Sequence, residues 1–375
     1  MRCVVVGAGA WGLPAAAELA GRGHQVVLLE RYGVGNLWSS SPGPTRLWRL
    51  THPDAVRVRL ARRGVEAMER LSRLAGEPVF LRRGLLWRDD ESLPRVPDAL
   101  AADDVAFTQV DAADVGRFVP GLVPDGRDAV WQADAGPVLA ATSLRVQHDR
   151  FVGAGGTLRV GDVVRAVEPG PRVHLEGGEV LDTDVVVLTA GPGTGALLPG
   201  LGVDLPLRPV LEQVVHLGDG PGTSYDAMPC LYDGPRGDRP GLYAMPTPGV
   251  GYKVGLDADL RDWRVDDLDR TPEPALVEHA VERVRDGLTS VRPAVLDAQV
   301  CSWTVSPDGR FVLDRLAGGV VLACGDSGEG FKFSALMGLV LADLAEGHEP
   351  DADVAGFGLA RFADGMPAGP HVLGR

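Results

Sequence analysis

The chain is 375 residues long, with 45% hydrophobic and 23% charged residues and a formal net charge of −14. That length exceeds one ordinary core and calls for two closely packed domains, in a composition typical of soluble globular proteins. The acidic balance argues against nucleic acid and anionic membrane surfaces as partners, and no apolar run is long enough for a spanning helix. The first predicted strand, Arg2-Cys3-Val4-Val5-Val6, enters the turn Gly7-Ala8-Gly9-Ala10-Trp11-Gly12, and residues 13–20 follow as a helix. Gly7 permits the tight turn, Gly9 lets the backbone approach a pyrophosphate, and Gly12 lets helix and strand pack closely. The phosphates would lie against the helix N-terminus, where free N–H groups and the helix dipole favour negative charge. A second strand, residues 25–29, ends in Glu30, an acid able to accept hydrogen bonds from ribose hydroxyls. Strand, turn, helix, strand and acid in that order predict a dinucleotide site.

Beginning the first strand at Arg2 leaves no room for a secretory signal peptide. The four cysteines, Cys3, Cys230, Cys301 and Cys324, show no metal-ligand spacing and suit a reducing compartment. A cytoplasmic location and no metal are therefore expected. Further along, a loop rich in turn formers covers residues 33–44, and Thr45-Arg46-Leu47-Trp48-Arg49-Leu50 follows it. Residues 54–74 have the periodicity of a helix with arginines on its polar side. Residues 78–81 and 84–87 read as strands of a different region, and residues 156–175 alternate like short antiparallel strands. Thr183 to Gly191 is a buried-strand pattern ending in small residues, and residues 207–300 return to mixed strands with one helix over 273–288. Another buried strand, residues 318–325, leads through the loop Asp326-Ser327-Gly328-Glu329-Gly330 into an apolar helix over 333–344.

No internal repeat or low-complexity linker interrupts this order. The expected fold class is α/β: a Rossmann-like nucleotide domain interwoven with a mixed-sheet α+β substrate domain. Residues 1–78, 140–206 and 301–375 are assigned to the first, and residues 79–139 and 207–300 to the second.

Six motifs, taken together, resemble the D-amino-acid-oxidase superfamily of flavoproteins, in particular its monomeric sarcosine oxidase and N-methyltryptophan oxidase branch. They are Gly7-Ala8-Gly9-Ala10-Trp11-Gly12, Thr45-Arg46-Leu47-Trp48-Arg49, Val187-Leu188-Thr189-Ala190-Gly191, Tyr252-Lys253-Val254-Gly255, Val300-Cys301-Ser302-Trp303-Thr304 and Gly328-Glu329-Gly330-Phe331-Lys332-Phe333-Ser334. The resemblance spans nearly the whole chain. It implies FAD as cofactor, oxidation of an amine carbon–nitrogen bond, and transfer of the electrons to molecular oxygen to give hydrogen peroxide. It also leans towards a monomer.

Cofactor contacts are expected from Gly7, Gly9, Gly12, Glu30, Arg46, Cys301, Gly328, Gly330 and Lys332. Cys301 matches the cysteine to which the branch attaches its flavin; the alternative is a small buried hydrophobe. The resemblance gives Lys253 the oxygen-activating role, where an ammonium could stabilise superoxide; alone, it would read as a surface lysine on a half-buried strand. Arg49 and Lys332 match a clamp for a substrate carboxylate, Arg supplying a planar fork and Lys a point charge. Arg46 is expected against the flavin ring or a neighbouring acid.

The chain also departs from the branch. Asp257 stands where sarcosine oxidases carry a histidine, Ser41-Pro42 replaces paired histidines, and Trp303 replaces a tyrosine. Tyr243 matches a pocket tyrosine. Tyr243, Trp303 and Trp48 would offer flat faces to a planar or cyclic substrate, although each could equally pack a core. The function expected is an amine oxidase acting on a secondary or cyclic α-amino acid larger than sarcosine, of the kind found in secondary metabolism, with Asp257 an acid near the flavin. The rivals are a flavin dehydrogenase that delivers electrons to a carrier, a nicotinamide-dependent dehydrogenase, and a non-catalytic flavoprotein subunit.

Overall fold

The computed structural model describes residues 1–219 and 224–367; residues 368–375 of the third expected nucleotide-domain segment lie outside the described residues. A six-stranded sheet runs in the order Val312–Leu316, Val320–Cys324, Val185–Leu188, Arg2–Val6, Gln25–Glu30 and Thr157–Val160. Its strands are parallel except where Val312–Leu316 returns antiparallel beside Val320–Cys324. The inner strands are continuous apolar runs because both faces are covered. Helices Gly12–Gly21 and Ser334–Glu346 pack together on one face. Their approach is close enough that a Cβ on Gly338 would lie 2.9 Å from the Pro14 carbonyl oxygen. A three-stranded antiparallel sheet made of Val164–Glu168, Arg172–Leu175 and Val180–Asp182 helps to close the other face.

The second sheet has nine strands and is antiparallel except where Leu85–Arg88 runs parallel to Cys230–Asp233. Its centre is the succession Arg208–Leu217, Gly251–Leu256, Leu242–Thr247 and Cys230–Asp233, with Val295–Val305 also paired to Arg208–Leu217. Helix Pro274–Gly287 covers one face through Ala280 and Val284. The other face looks toward the six-stranded sheet. Because side chains alternate along a strand, register places Cys301 and Trp303, Glu212 and His216, Lys253 and Gly255, Tyr243 and Met245, and Tyr232 on that same face.

The strand Val295–Val305, which pairs along its length with Arg208–Leu217, runs across residues 300 and 301. Residues 78–81 contribute only the bridge Phe80–Val138, because the facing residue for Leu81 is Pro137, which has no N–H to return. The helix expected over 54–74 spans Ala55–Ala75. Asp54 caps it by accepting the Arg57 N–H at 2.9 Å, and Gly76 ends it in the left-handed conformation.

Candidate active site

The glycine turn is built by close approach. Gly7 has φ +97°, and a Cβ on Gly12 would fall 1.9 Å from the Gly7 carbonyl oxygen and 2.3 Å from Thr189 Oγ1. No side chain caps helix Gly12–Gly21; its Leu13 and Ala15 N–H groups donate to the Gly9 and Trp11 carbonyls, each at 3.1 Å, and its positive dipole end faces the turn. Glu30 accepts the Ala8 and Tyr32 N–H groups, each at 2.9 Å, and Ser41 Oγ accepts the Ala10 N–H at 2.9 Å. Trp11 Nε1 donates to the Gly330 carbonyl at 2.9 Å, tying this turn to the C-terminal glycine loop. The residues present therefore fit a dinucleotide: a side-chain-free cradle, an uncapped helix and an acid at its edge.

A cavity of about 640 Å³ runs from this cradle across the nine-stranded sheet. Gly7, Gly9 and Glu30 line it at the cradle, and Arg46, Arg49, Tyr243, Lys253, Cys301, Trp303, Gly328, Gly330 and Lys332 also line it. Lys253 is buried, with its Nζ donating to the Thr45 carbonyl at 2.9 Å. Burial, with Arg46 nearby, lowers its ammonium to about 7, while Cys301 and Glu212 oppose the shift. The Tyr243 ring lies over Gly255, where a Cβ would meet it at 2.2 Å, so the glycine makes its room. Burial and the hydrogen-bonded Glu212 carboxylate hold the Tyr243 phenol well above its ordinary value. Arg46 sends its hydrogen bonds to the Ser40, Pro42 and Thr45 carbonyls and lies 5.7 Å from the Phe331 ring.

At the far end stands a buried charge cluster. Arg49 Nη2 donates to Glu329 Oε1 at 3.2 Å, and Lys332 Nζ donates to the same oxygen at 3.0 Å. Arg57 Nε lies 3.6 Å from Glu329 Oε2, and His52 Nδ1 lies 3.9 Å from Oε1. The Arg49 guanidinium also stacks on Trp87, 4.2 Å from its centroid. Burial alone would push the Glu329 carboxyl up, but Lys332, Arg57, His52 and Arg49 together hold it well below the usual carboxylate range. Burial pulls the Lys332 ammonium down to about 7 despite Glu329. Asp326 is pushed up to about 6 by burial.

Two expected pocket residues sit elsewhere. Trp48 is fully buried and packs edge-on against Phe80 at 5.1 Å, so it belongs to the core. Asp257 accepts the Tyr232 hydroxyl at 3.2 Å and does not line the cavity; it reaches the pocket through Tyr232, which stacks on Trp87 at 3.9 Å. The carboxylate that Arg49 and Lys332 meet within the fold is that of Glu329, three residues before Lys332. Sequence reasoning missed Glu212, Tyr232, Arg57, His52 and the role of Glu329. Glu212 had a visible signal, the one acid in the strand Arg208–Leu217. The other four had none, since their meeting depends on segments far apart in the chain.

Comparison with known proteins agrees with this geometry. Residues 2–344 match the DAO family, described as FAD dependent oxidoreductase. Human peroxisomal sarcosine oxidase is 27% identical over 379 residues, covering 96% of this chain and 95% of that protein. The N-methyl-L-tryptophan oxidase of Citrobacter koseri is 26% identical, covering 96% and 98%. Among solved structures, the open form of NikD, described as an unusual amino acid oxidase essential for nikkomycin biosynthesis, superposes with a TM-score of 0.83 at 24% identity, covering 95% and 96%. That last likeness concerns the fold.

Proposed function

We propose, for a chain that belongs to the DAO family of FAD dependent oxidoreductases, that it oxidises a secondary or cyclic α-amino acid to the corresponding imine. The amine carbon and nitrogen together give up two electrons and two protons; molecular oxygen takes them and leaves as hydrogen peroxide. FAD supplies the two-electron relay between amine and oxygen. The observation that carries the reading is the single cavity joining the glycine cradle at Gly7 and Gly9 to Lys253, Cys301, Arg49 and Lys332.

Each residue's part follows from its chemistry. Arg49 and Lys332 hold the substrate carboxylate and so fix which carbon faces the cofactor. Tyr243, Trp303 and Tyr232 supply flat faces that suit a ring or planar substrate better than sarcosine. Glu212, beside the Tyr243 hydroxyl, offers a buried carboxylate that can take the amine proton, so that nitrogen presents its lone pair. Lys253 stabilises negative charge on oxygen as it is reduced. Glu30 and the glycine turn at the N-terminal end of helix Gly12–Gly21 hold the ribose and phosphate portions of the cofactor.

Cys301 holds the cofactor covalently in this reading. It is the one cysteine of the four that is not buried. Burial pushes the Cys3 thiol up to about 11 and the Cys324 thiol up to about 12, and moves Cys230 in the same direction, so those three resist becoming thiolates. Acid precipitation should leave the wild-type pellet yellow and the Cys301→Ser supernatant yellow; wild-type flavin in the supernatant overturns the attachment. For the reaction itself, a panel of N-methylated, cyclic and primary amino acids should be mixed anaerobically with the protein and flavin bleaching followed. Bleaching by secondary or cyclic members, and peroxide on admitting air, is the expected result. Bleaching that air does not reverse would favour delivery to a protein or quinone carrier.

A further inference from the structure

The loop Asp326-Ser327-Gly328-Glu329-Gly330 delivers a carboxylate to the place where the proposed function puts the substrate's own. Glu329 is buried, and both its oxygens are committed: Oε1 accepts from Lys332 Nζ at 3.0 Å and from Arg49 Nη2 at 3.2 Å, while Oε2 faces Arg57 Nε at 3.6 Å. Arg49, Glu329 and Lys332 all line the cavity, so this is a contact in the pocket wall rather than an ion pair sealed behind it. The backbone that presents it is unusual. Ser327 has φ +48° and Gly328 φ +78°, and a left-handed serine is a conformation held only where surroundings enforce it. Hydrogen bonds from the Ser327 N–H to the Thr304 carbonyl and from Ser327 Oγ to the Gly325 carbonyl, at 2.9 and 3.1 Å, hold it there.

Resting on the reading that Arg49 and Lys332 bind a substrate carboxylate, we infer that Glu329 is the specificity-determining residue of this pocket. It fills the anion position from within, and a substrate carboxylate is admitted only by displacing Glu329 from Lys332. Two carboxylates sharing one pair of cations repel, and in a buried setting that repulsion is weakly screened. A single-carboxylate ligand therefore binds more weakly than the cations alone would allow. Binding energy must come from elsewhere in the pocket, chiefly the faces of Tyr243, Trp303 and Tyr232. The consequence is discrimination: small amino acids, with little besides a carboxylate to offer, are rejected, and larger flat ones are kept. Removing the internal anion leaves Arg49 and Lys332 facing the cavity without it, and an entering carboxylate then supplies the negative charge that Glu329 gave.

The test is ligand binding to the yellow holoenzyme, read as perturbation of the flavin spectrum. The probes are pyridine-2-carboxylate and its carboxylate-free partner, pyridine. Glu329→Gln should bind pyridine-2-carboxylate at least about tenfold more tightly than wild type, with pyridine changed by less than about twofold. Glu329→Asp keeps the charge, and with it the support for the fold, but has too short an arm to span both cations; it should show part of the gain. Unchanged or weakened carboxylate binding in either variant overturns the inference and reduces Glu329 to a spacer between cations. Lys332→Met and Arg49→Met, made in the wild-type background, separate the two ideas. If both leave carboxylate binding intact, the substrate reading itself fails, whatever the Glu329 variants do.

Discussion

The two ends of the cavity are made in opposite ways. The cradle end is backbone: the turn from Gly7 to Gly12, an uncapped helix, and one acid, all within the first thirty residues. The far end is side chains: Arg49, with Arg57 of the adjoining helix against Glu329, Tyr232 and Lys253 from separate strands, and Glu329 and Lys332 from the C-terminal loop. Backbone N–H groups are present at any sequence, so the cradle demands chiefly that side chains be absent. Charged side chains must be buried together, and each is tolerable only because the others are there. One end is thus sensitive to added atoms and the other to removed charges.

The largest effect is expected at the first end. Gly12→Val would drive side-chain atoms into the Gly7 carbonyl and Thr189, backbone and short side chain that cannot move aside. The protein should emerge without flavin, measured as the ratio of visible to ultraviolet absorbance. A fully loaded variant would show that the cradle has slack and would break the contrast drawn above. Next comes Lys253→Met, which should slow the reaction with oxygen by about 10²–10³, as loss of a preorganised charge stabiliser typically does. Stopped-flow mixing with oxygen measures this directly, and anaerobic bleaching should change far less. Equal oxygen reactivity would move Lys253 out of the oxidative step.

A smaller effect is expected at the charge cluster. Lys332→Met and Arg49→Met should each weaken a carboxylate ligand by more than roughly tenfold, since truncating one partner of a buried charge pair costs about 2–5 kcal/mol. The corresponding ligand without a carboxylate should suffer little. The same site has a pH signature. Burial holds the free Lys332 ammonium at about 7, well below its ordinary value, so its charge is complete below that pH and lost above it. Carboxylate affinity should accordingly be level on the acid side and fall by up to about tenfold per unit as pH rises beyond 7. A flat profile through pH 8.5 would place the Lys332 titration elsewhere. The smallest change is expected from Asp257→Asn. Asparagine can still accept the Tyr232 hydroxyl, so kcat/KM should shift by less than about tenfold. A larger loss would mean that Asp257 meets the substrate itself.

Much of the cradle could be read directly from the residues. The β-branched run before Gly7, the glycine spacing and Glu30 are local, and their consequence is local, because a strand, a turn and the following helix are neighbours in the chain. Cys301, Lys253 and Tyr243 were recognised one by one through their motifs, and they do face one cavity. Their meeting is a matter of register: Cys301 pairs with Glu212, and Gly255 with Tyr243, which turns these side chains to the same face. A slip of one residue would have turned them into the opposite core.

The sequence by itself determined a Rossmann-type cradle, a chain weaving between two sheets and a small set of candidate cations. Tertiary structure alone decided how those cations are neutralised. Trp48, between Arg46 and Arg49, turned into the core against Phe80, and Asp257 turned to Tyr232 instead of the cavity. Glu329, which carried no distinguishing local pattern, became the common partner of Arg49 and Lys332. The reason is physical. Turn geometry depends on φ and ψ over a few adjacent residues, whereas the state of a buried charge depends on every other charge within a few ångströms, and those arrive from segments hundreds of residues apart.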